Sequence, residues 1–375
     1  MMKKEFRIHN KTDKPDHVVH QEQKNIQRCL EIESRLPDFL YDFFLYLKSS
    51  VAITTRLAYL EDIYFFCQYL VKETPKTKAH KPSDISLEEF QQLSAKNINQ
   101  FLGQYCSRYM VEDEDSVRIM ENHQRSLARK KSSLSVLFKN LFRDELIPRN
   151  ITDGFNPIQL PKPQPDAIKR LDINEVVQLL EMVETGEQLS EKEKRYWQKT
   201  KLRDRAILVL FLTYGLRLNE LHQLNISSFN FSRGEFKIYR KRGKETLMPI
   251  NYSCEEVITK YMSHERPPKE SIPAEHQDAL FLSLQKRRMT VRAIRNMVKK
   301  YTALILGTPS SRGYSPHKLR ATAATSLIQQ GFSIFDVQNL MDHENVATTQ
   351  LYAAHRKDVK RELIKNFEWI DKDEK

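Results

Sequence analysis

Between Pro148 and Pro165 the chain reads PRNITDGFNPIQLPKPQP, with five prolines and one glycine. Proline lacks an amide donor and fixes φ, so no helix interior or central strand survives that density. The stretch reads as a semi-extended linker, and it forces two separately folded parts on the 375 residues. The expected division is an arm over residues 1–30, a domain over 31–147, the linker over 148–167 and a second domain over 168–375.

The first part reads as all helical, with four or five helices. Residues up to Gln27 are polar and read as a loose arm or a short leading helix. Phe39, Phe43, Phe44 and Leu47 then share one helical face. Leu57, Leu60, Ile63, Cys67 and Leu70 recur at steps of three and four. Ser86 with Glu89 is a capping box before Leu87–Leu93, and Asn97–Tyr109 reads as a further helix. In HQRSLARKKSSLSVLFKNLF, Leu127, Leu134, Leu137, Phe138 and Leu141 make a stripe. Arg125, Arg129, Lys130, Lys131 and Lys139 crowd the other faces. That basic surface suits phosphate contact, and it equally suits a solvated face.

The second part mixes helices with short strands. Asp172 caps a helix, and Asp204–Tyr214 is an apolar one ended by Gly215. Ser228–Phe231, Glu235–Arg240 and Glu245–Ile250 read as strands, the last two joined at the basic turn YRKRGK. Ala279–Leu284 is strand-like. Thr290–Leu304 is a basic helix carrying Arg292 and Arg295. Pro316 starts another helix, which sets His317 and Arg320 three apart on one face at its amino end, where backbone N–H groups attract anions. Ser333–Met341 is helical and stops just before His343, and Tyr352 follows nine residues later. Two imidazoles, a guanidinium and a phenol at helix ends make a phosphate site with its own nucleophile. HxxR is a short pattern that recurs by chance, and a lone Tyr more often packs than reacts, so this reading needs support from elsewhere.

Composition narrows the partner. Sixty-one Lys and Arg against 49 Asp and Glu give +12, with a pI near 9.3. Such a balance favours a polyanion, most often nucleic acid. The four cysteines lie far apart with no CxxC, so neither a zinc site nor a disulfide framework is expected, and free thiols fit a reducing cytoplasm. The amino terminus lacks the apolar stretch of a signal peptide, and the longest apolar run, Ala206–Leu212, is too short to span a bilayer.

Four segments together resemble the tyrosine recombinases. TYGLRLNELHQL matches their first Arg motif. YRKRGKETLMPI, whose Lys241 lies 24 residues past Arg217, resembles their β-hairpin lysine motif. SPHKLRATAATSLIQQG and LMDHENVATTQLY resemble their HxLR and LGHxxxxTxxY segments. The resemblance covers the second part and extends weakly to the first, whose basic helix looks like the end of a DNA-clamping domain.

It implies a mainly α chain: a helical, SAM-like core-binding domain, then an α-rich catalytic domain with a small antiparallel sheet, closing as a C-shaped clamp on DNA. Tyr352 is then the nucleophile forming a 3′-phosphotyrosyl bond. Arg217 and Arg320 hold the phosphate oxygens, His317 takes the tyrosine proton or bonds the phosphate, and His343 donates to the phosphate. Lys241 is the leaving-group acid, with Lys244 its rival, and Glu220 orients an arginine. Arg125, Arg129, Lys130, Lys131, Arg292 and Arg295 contact the DNA backbone. No metal and no cofactor are implied.

The implied partner is double-stranded DNA with an inverted-repeat site, gripped by a homotetramer in a bacterial cytoplasm. The amphipathic segment Asp358–Ile370 either completes the core or docks on a neighbouring protomer. The charged insert before Ile207 resembles the Xer group that resolves chromosome dimers with a single recombinase. An integrase of a mobile element is the other role, and a non-catalytic DNA-binding protein of the same fold the reading from another class. Two positions depart from the family: Ala321 stands where a His is usual, and Asp342 where a Gly is usual.

Overall fold

The computed structural model describes residues 16–113, 116–160, 169–240 and 244–342. The chain divides into two compact units, Met1–Lys162 and Pro163–Lys375.

In the first unit, α1 (Asp16–Glu33), α2 (Tyr41–Ser50) and α3 (Ile53–Glu73) come first. Of the two readings of the polar amino-terminal stretch, the helix is found from Asp16 on, and it is longer than expected. Its last turns bury Cys29 and Ile32, and Arg56 of α3 reaches Glu33 at 2.6 Å. Two short helices follow, α4 (Leu87–Gln91) and α5 (Ala95–Gln100). The first starts on the expected capping box: Ser86 and Glu89 each accept the other's backbone N–H.

The expectation of one helix through Tyr109 is corrected. After α5 the chain makes a π turn over Phe101–Tyr105 and enters an antiparallel hairpin, β1 (Arg108–Asp113) and β2 (Ser116–Glu121). The unit is therefore not all helical. α6 (Gln124–Arg143) crosses the core with Leu127, Leu134, Leu137, Phe138 and Leu141 buried. Each such side chain contributes about 1.5–3 kcal/mol on leaving water. Part of the proline-rich stretch belongs to this core, since Ile151 and Phe155 are buried against it.

The second unit opens with α7 (Ile173–Thr185), boxed by Asp172 and Glu175, then α8 (Glu191–Trp197) and α9 (Lys201–Tyr214). α9 is apolar nearly all round and lies at the centre of the core, with Ala206 to Phe211 all buried. α10 (Leu218–His222) leads to a three-stranded antiparallel sheet of β3 (Phe229–Asn230), β4 (Glu235–Tyr239) and β5 (Glu245–Pro249), in that spatial order. Then come α11 (Tyr252–His264), α12 (Val291–Ile305), α13 (Pro316–Gln329) and α14 (Ile334–Met341). The strand expected at Ala279–Leu284 is reduced to two isolated bridges, Asn225 with Ala279 and Leu282 with Arg288. α13 packs on α9 and α14, and Ala321, Ala323 and Ala324 form a small cluster with Val337 and Met341.

Candidate active site

Gly215 ends α9 in the left-handed conformation (φ +58°), and a Cβ there would overlap the Met341 thioether of α14. Glycine at this position therefore satisfies both the backbone and the close approach of α14. Two residues on, Arg217 occupies the N-cap of α10. A guanidinium has no acceptor, so only half of a reciprocal cap forms: Glu220 accepts the Arg217 backbone N–H at 2.8 Å. The other Glu220 oxygen accepts Arg217 Nη1 at 2.7 Å. Glu220 is 3% exposed, so this carboxylate is fixed, and it fixes the guanidinium in turn.

The cations converge on the carboxyl end of α14. A helix leaves its last carbonyls without intrahelical donors, at the negative end of its dipole. Here three consecutive carbonyls each accept from a different arginine. Arg240 Nη2 donates to Leu340 O at 2.7 Å, Arg320 Nη2 to Met341 O, and Arg217 Nη2 to Asp342 O at 2.8 Å. Arg320 also donates through Nη1 to Gly215 O, which ties α13 to the α9–α10 junction. Asp342 then leaves the helix with φ +50°, its carboxylate 3.8 Å from Arg217, 3.9 Å from Arg240 and 3.7 Å from Lys244.

Of the residues expected at the site, Arg217, Glu220, Arg320 and Lys244 are brought together. His317 lies at the start of α13, one turn before Arg320, and is exposed. Partial desolvation of its ring, then the charges of Lys318 and Arg320, lower its pKa, so it favours the neutral, proton-accepting form. Lys241, His343, Tyr352 and the segment Asp358–Ile370 lie outside the described residues.

Arg240 is the residue that sequence reasoning missed. It is 6% exposed, and its Nε and Nη1 have no hydrogen-bond partner among the described residues. Desolvation lowers its pKa, opposed by the charges of Glu220 and Asp342. The signal was the alternation of β4: Phe236 and Ile238 face inward, and Arg240 is next in phase. Ala321, at the position where the family carries His, is buried in the small-residue cluster beside α14.

The basic residues expected on DNA fall into two groups. Arg125 on α6 and Arg292 and Arg295 on α12 are exposed. Lys130 is not on the solvated face where the sequence set it. It is 8% exposed, its ammonium 3.0 Å from the buried carboxylate of Asp62 and 4.7 Å from the centre of the Phe65 ring. Arg129 and Ser133 bind the same carboxylate, which needs partners once it is out of water. Lys131 bonds Phe155 O at 3.4 Å.

The profile of the phage integrase family matches residues 169–358. The tyrosine recombinase XerC of Natranaerobius thermophilus is 30% identical over 316 residues, covering 84% of this chain and 92% of that one. The tyrosine recombinase XerC of Syntrophus aciditrophicus is 27% identical over 318 residues, covering 84% and 91%. Among solved structures, XerH site-specific recombinase bound to palindromic difH substrate in a post-cleavage complex aligns with a TM-score of 0.60 at 17% identity, covering 92% of this chain and 89% of that one. A lambda integrase dimer bound to a COC' core site gives 0.56 at 15% identity, covering 90% and 98%. The protein is thus a tyrosine recombinase and belongs to the phage integrase family. With that family it is a site-specific DNA recombinase.

Proposed function

We propose that this enzyme cuts and rejoins DNA at an inverted-repeat site through a 3′-phosphotyrosyl intermediate, and that its role is to convert chromosome dimers to monomers. The observation carrying the chemistry is the convergence of Arg217, Arg240 and Arg320 on the end of α14, one residue before His343 in the chain. The Xer names of these relatives support the biological role.

In this reading the Tyr352 hydroxyl oxygen attacks phosphorus, and the bond from phosphorus to the 5′-oxygen breaks. His317, held neutral, takes the phenol proton, and Lys241 protonates the leaving 5′-oxygen. Arg217 and Arg320 hold the non-bridging oxygens, where planar forked donors outperform an ammonium. His343 donates a further hydrogen bond. The protein's cations neutralise the charge that moves in the transition state. The phosphotyrosyl bond conserves the phosphodiester energy, so ligation reverses the same steps. The working assembly is a homotetramer on DNA, with Asp358–Ile370 docked on the neighbouring protomer.

The test is a nicked duplex on which a covalent intermediate is trapped. Tyr352→Phe should bind this duplex near normally and form no covalent complex. A covalent product from that variant would remove Tyr352 from its role. For the biological role, a plasmid dimer carrying two copies of the chromosomal site should resolve only when the wild-type chain is supplied.

A further inference from the structure

The mechanism uses the arginines and leaves the carboxylate among them unexplained. Asp342 has no catalytic duty. It adopts φ +50°, a region that glycine enters freely and that aspartate enters more readily than most other residues. Its carboxylate stands 3.7–3.9 Å from Lys244, Arg217 and Arg240. These separations exceed those of direct charge-assisted hydrogen bonds, about 2.7–2.9 Å. The group is held by the summed field of three cations rather than seated on any one of them. It is also partly accessible, its side chain 30% exposed.

Around it the described charges are Arg217, Arg240, Lys244 and Arg320, against Glu220 and Asp342 itself. Glu220 is fully engaged with Arg217. Asp342 therefore carries the one negative charge in the group that is not locked by short hydrogen bonds. Arg240 has two buried nitrogens with no hydrogen-bond partner among the described residues, and one of them, Nη1, faces the Asp342 carboxylate.

We propose that Asp342 is an internal stand-in for the scissile phosphate: its carboxylate occupies the anion position in the DNA-free enzyme and must be displaced when DNA binds. This rests on the recombinase reading of the same site. The carboxylate neutralises a cation cluster that would otherwise repel itself, and it sets a threshold that an incoming phosphodiester must pass. A phosphodiester shares one charge over two oxygens, as the carboxylate does, but it can sit in direct contact with cations that Asp342 meets only at 3.7–3.9 Å, so the exchange favours DNA whose phosphate is correctly placed. Isolated small anions compete poorly against a tethered group, whose effective concentration is high.

The test uses the full-length protein and two probes: inorganic phosphate and a site-containing duplex. In Asp342→Asn the cluster loses its internal anion but keeps a side chain of the same size. Inorganic phosphate should then raise the melting temperature of the variant markedly and that of the wild type little. Duplex affinity should rise about tenfold, and the slope of log K against log salt should steepen by about one. Asp342→Gly, which also relieves the backbone, should behave the same way and guards against a folding defect peculiar to Asn. Equal phosphate response and equal salt slope in the wild type and both variants would overturn the proposal and leave Asp342 a structural cap of α14. Failure of the recombinase reading would be seen differently, as absence of any covalent complex from the wild type, with the phosphate response of Asp342→Asn still intact.

Discussion

Replacing Glu220 with Gln tests whether the arginine fork is positioned by a buried charge. Glu220 makes two bonds, to the Arg217 backbone N–H at 2.8 Å and to Arg217 Nη1 at 2.7 Å, and is 3% exposed. Gln retains one acceptor oxygen. Its NH2 group must then face one of the two donors, which leaves that donor unsatisfied and sets two donors together. The lost charge-assisted bond is worth about 1.5–3 kcal/mol and the orphaned donor about 1–3 kcal/mol. Arg217 keeps its bond to Asp342 O, so the two costs do not add in full, and roughly 3 kcal/mol is expected. For a unit of about 200 residues that lowers the melting temperature by roughly 6–12 °C. The guanidinium also swings on a single remaining anchor. A displacement of about 1 Å costs on the order of a hundredfold in rate. The assays are single-turnover formation of the covalent complex on a nicked duplex and thermal unfolding of the same preparation. Glu220→Asp is the control: it keeps the charge but is one methylene too short to serve both donors, and should fall between wild type and Gln. A Gln variant that cleaves within twofold of wild type and melts at the same temperature would refute the reasoning.

Two further outcomes follow from the same geometry. Arg240→Met keeps a long apolar stem but gives up the bond to Leu340 O, so single-turnover cleavage should fall about tenfold or more while duplex affinity changes little; wild-type cleavage would show that Arg240 only fills space. His222 is largely buried beside Arg288, and desolvation first, then that charge, push its pKa down from 6.5 to about 4. The folded state thus favours neutral His222, so its contribution is complete above pH 6.5 and is lost as the pH falls from there toward 4, on the order of 3 kcal/mol, with about 2 kcal/mol of it gone by pH 5. Urea titrations at pH 7.5 and 5 should show this loss, reduced in His222→Gln, and an unchanged pH dependence in that variant would assign the effect elsewhere.

Helix periodicity made most of this fold legible. The stripe of α6, the capping boxes at Ser86 and Asp172, and the glycine stop at Gly215 all lie where local chemistry set them. The hairpin of β1 and β2 escaped because its six-residue strands carry charge on both sides of a short alternation, which gives no clean period. Lys130 was read as solvated because its sequence neighbours are basic. Only the fold brings Asp62, 68 positions away, under α6 to receive it. Arg240 was hidden in YRKRGK, where four cations in five positions look alike. What separates them is which faces the core, and a strand's phase is fixed by its sheet rather than by composition.

The arrangement at α14 brings together residues from motifs scattered over more than a hundred residues. Three of the four motifs each supply one guanidinium: Arg217 from the α9–α10 junction, Arg240 from the end of β4, Arg320 from α13. Glu220 of α10 already pairs with Arg217, but β4 and α13 bury Arg240 and Arg320, which is costly for a cation without partners. The orphan carbonyls of one helix end give all three a shared acceptor set. That end is also where the chain continues to His343 and on to Tyr352. The same three bonds that satisfy α14 therefore align the three guanidiniums with the point from which the chain runs on to His343 and Tyr352. A substitution that unwinds the last turn of α14, such as Leu340→Pro, should disperse all three guanidiniums together. Its loss of cleavage should exceed that of any single arginine variant without a matching loss of the first unit's stability.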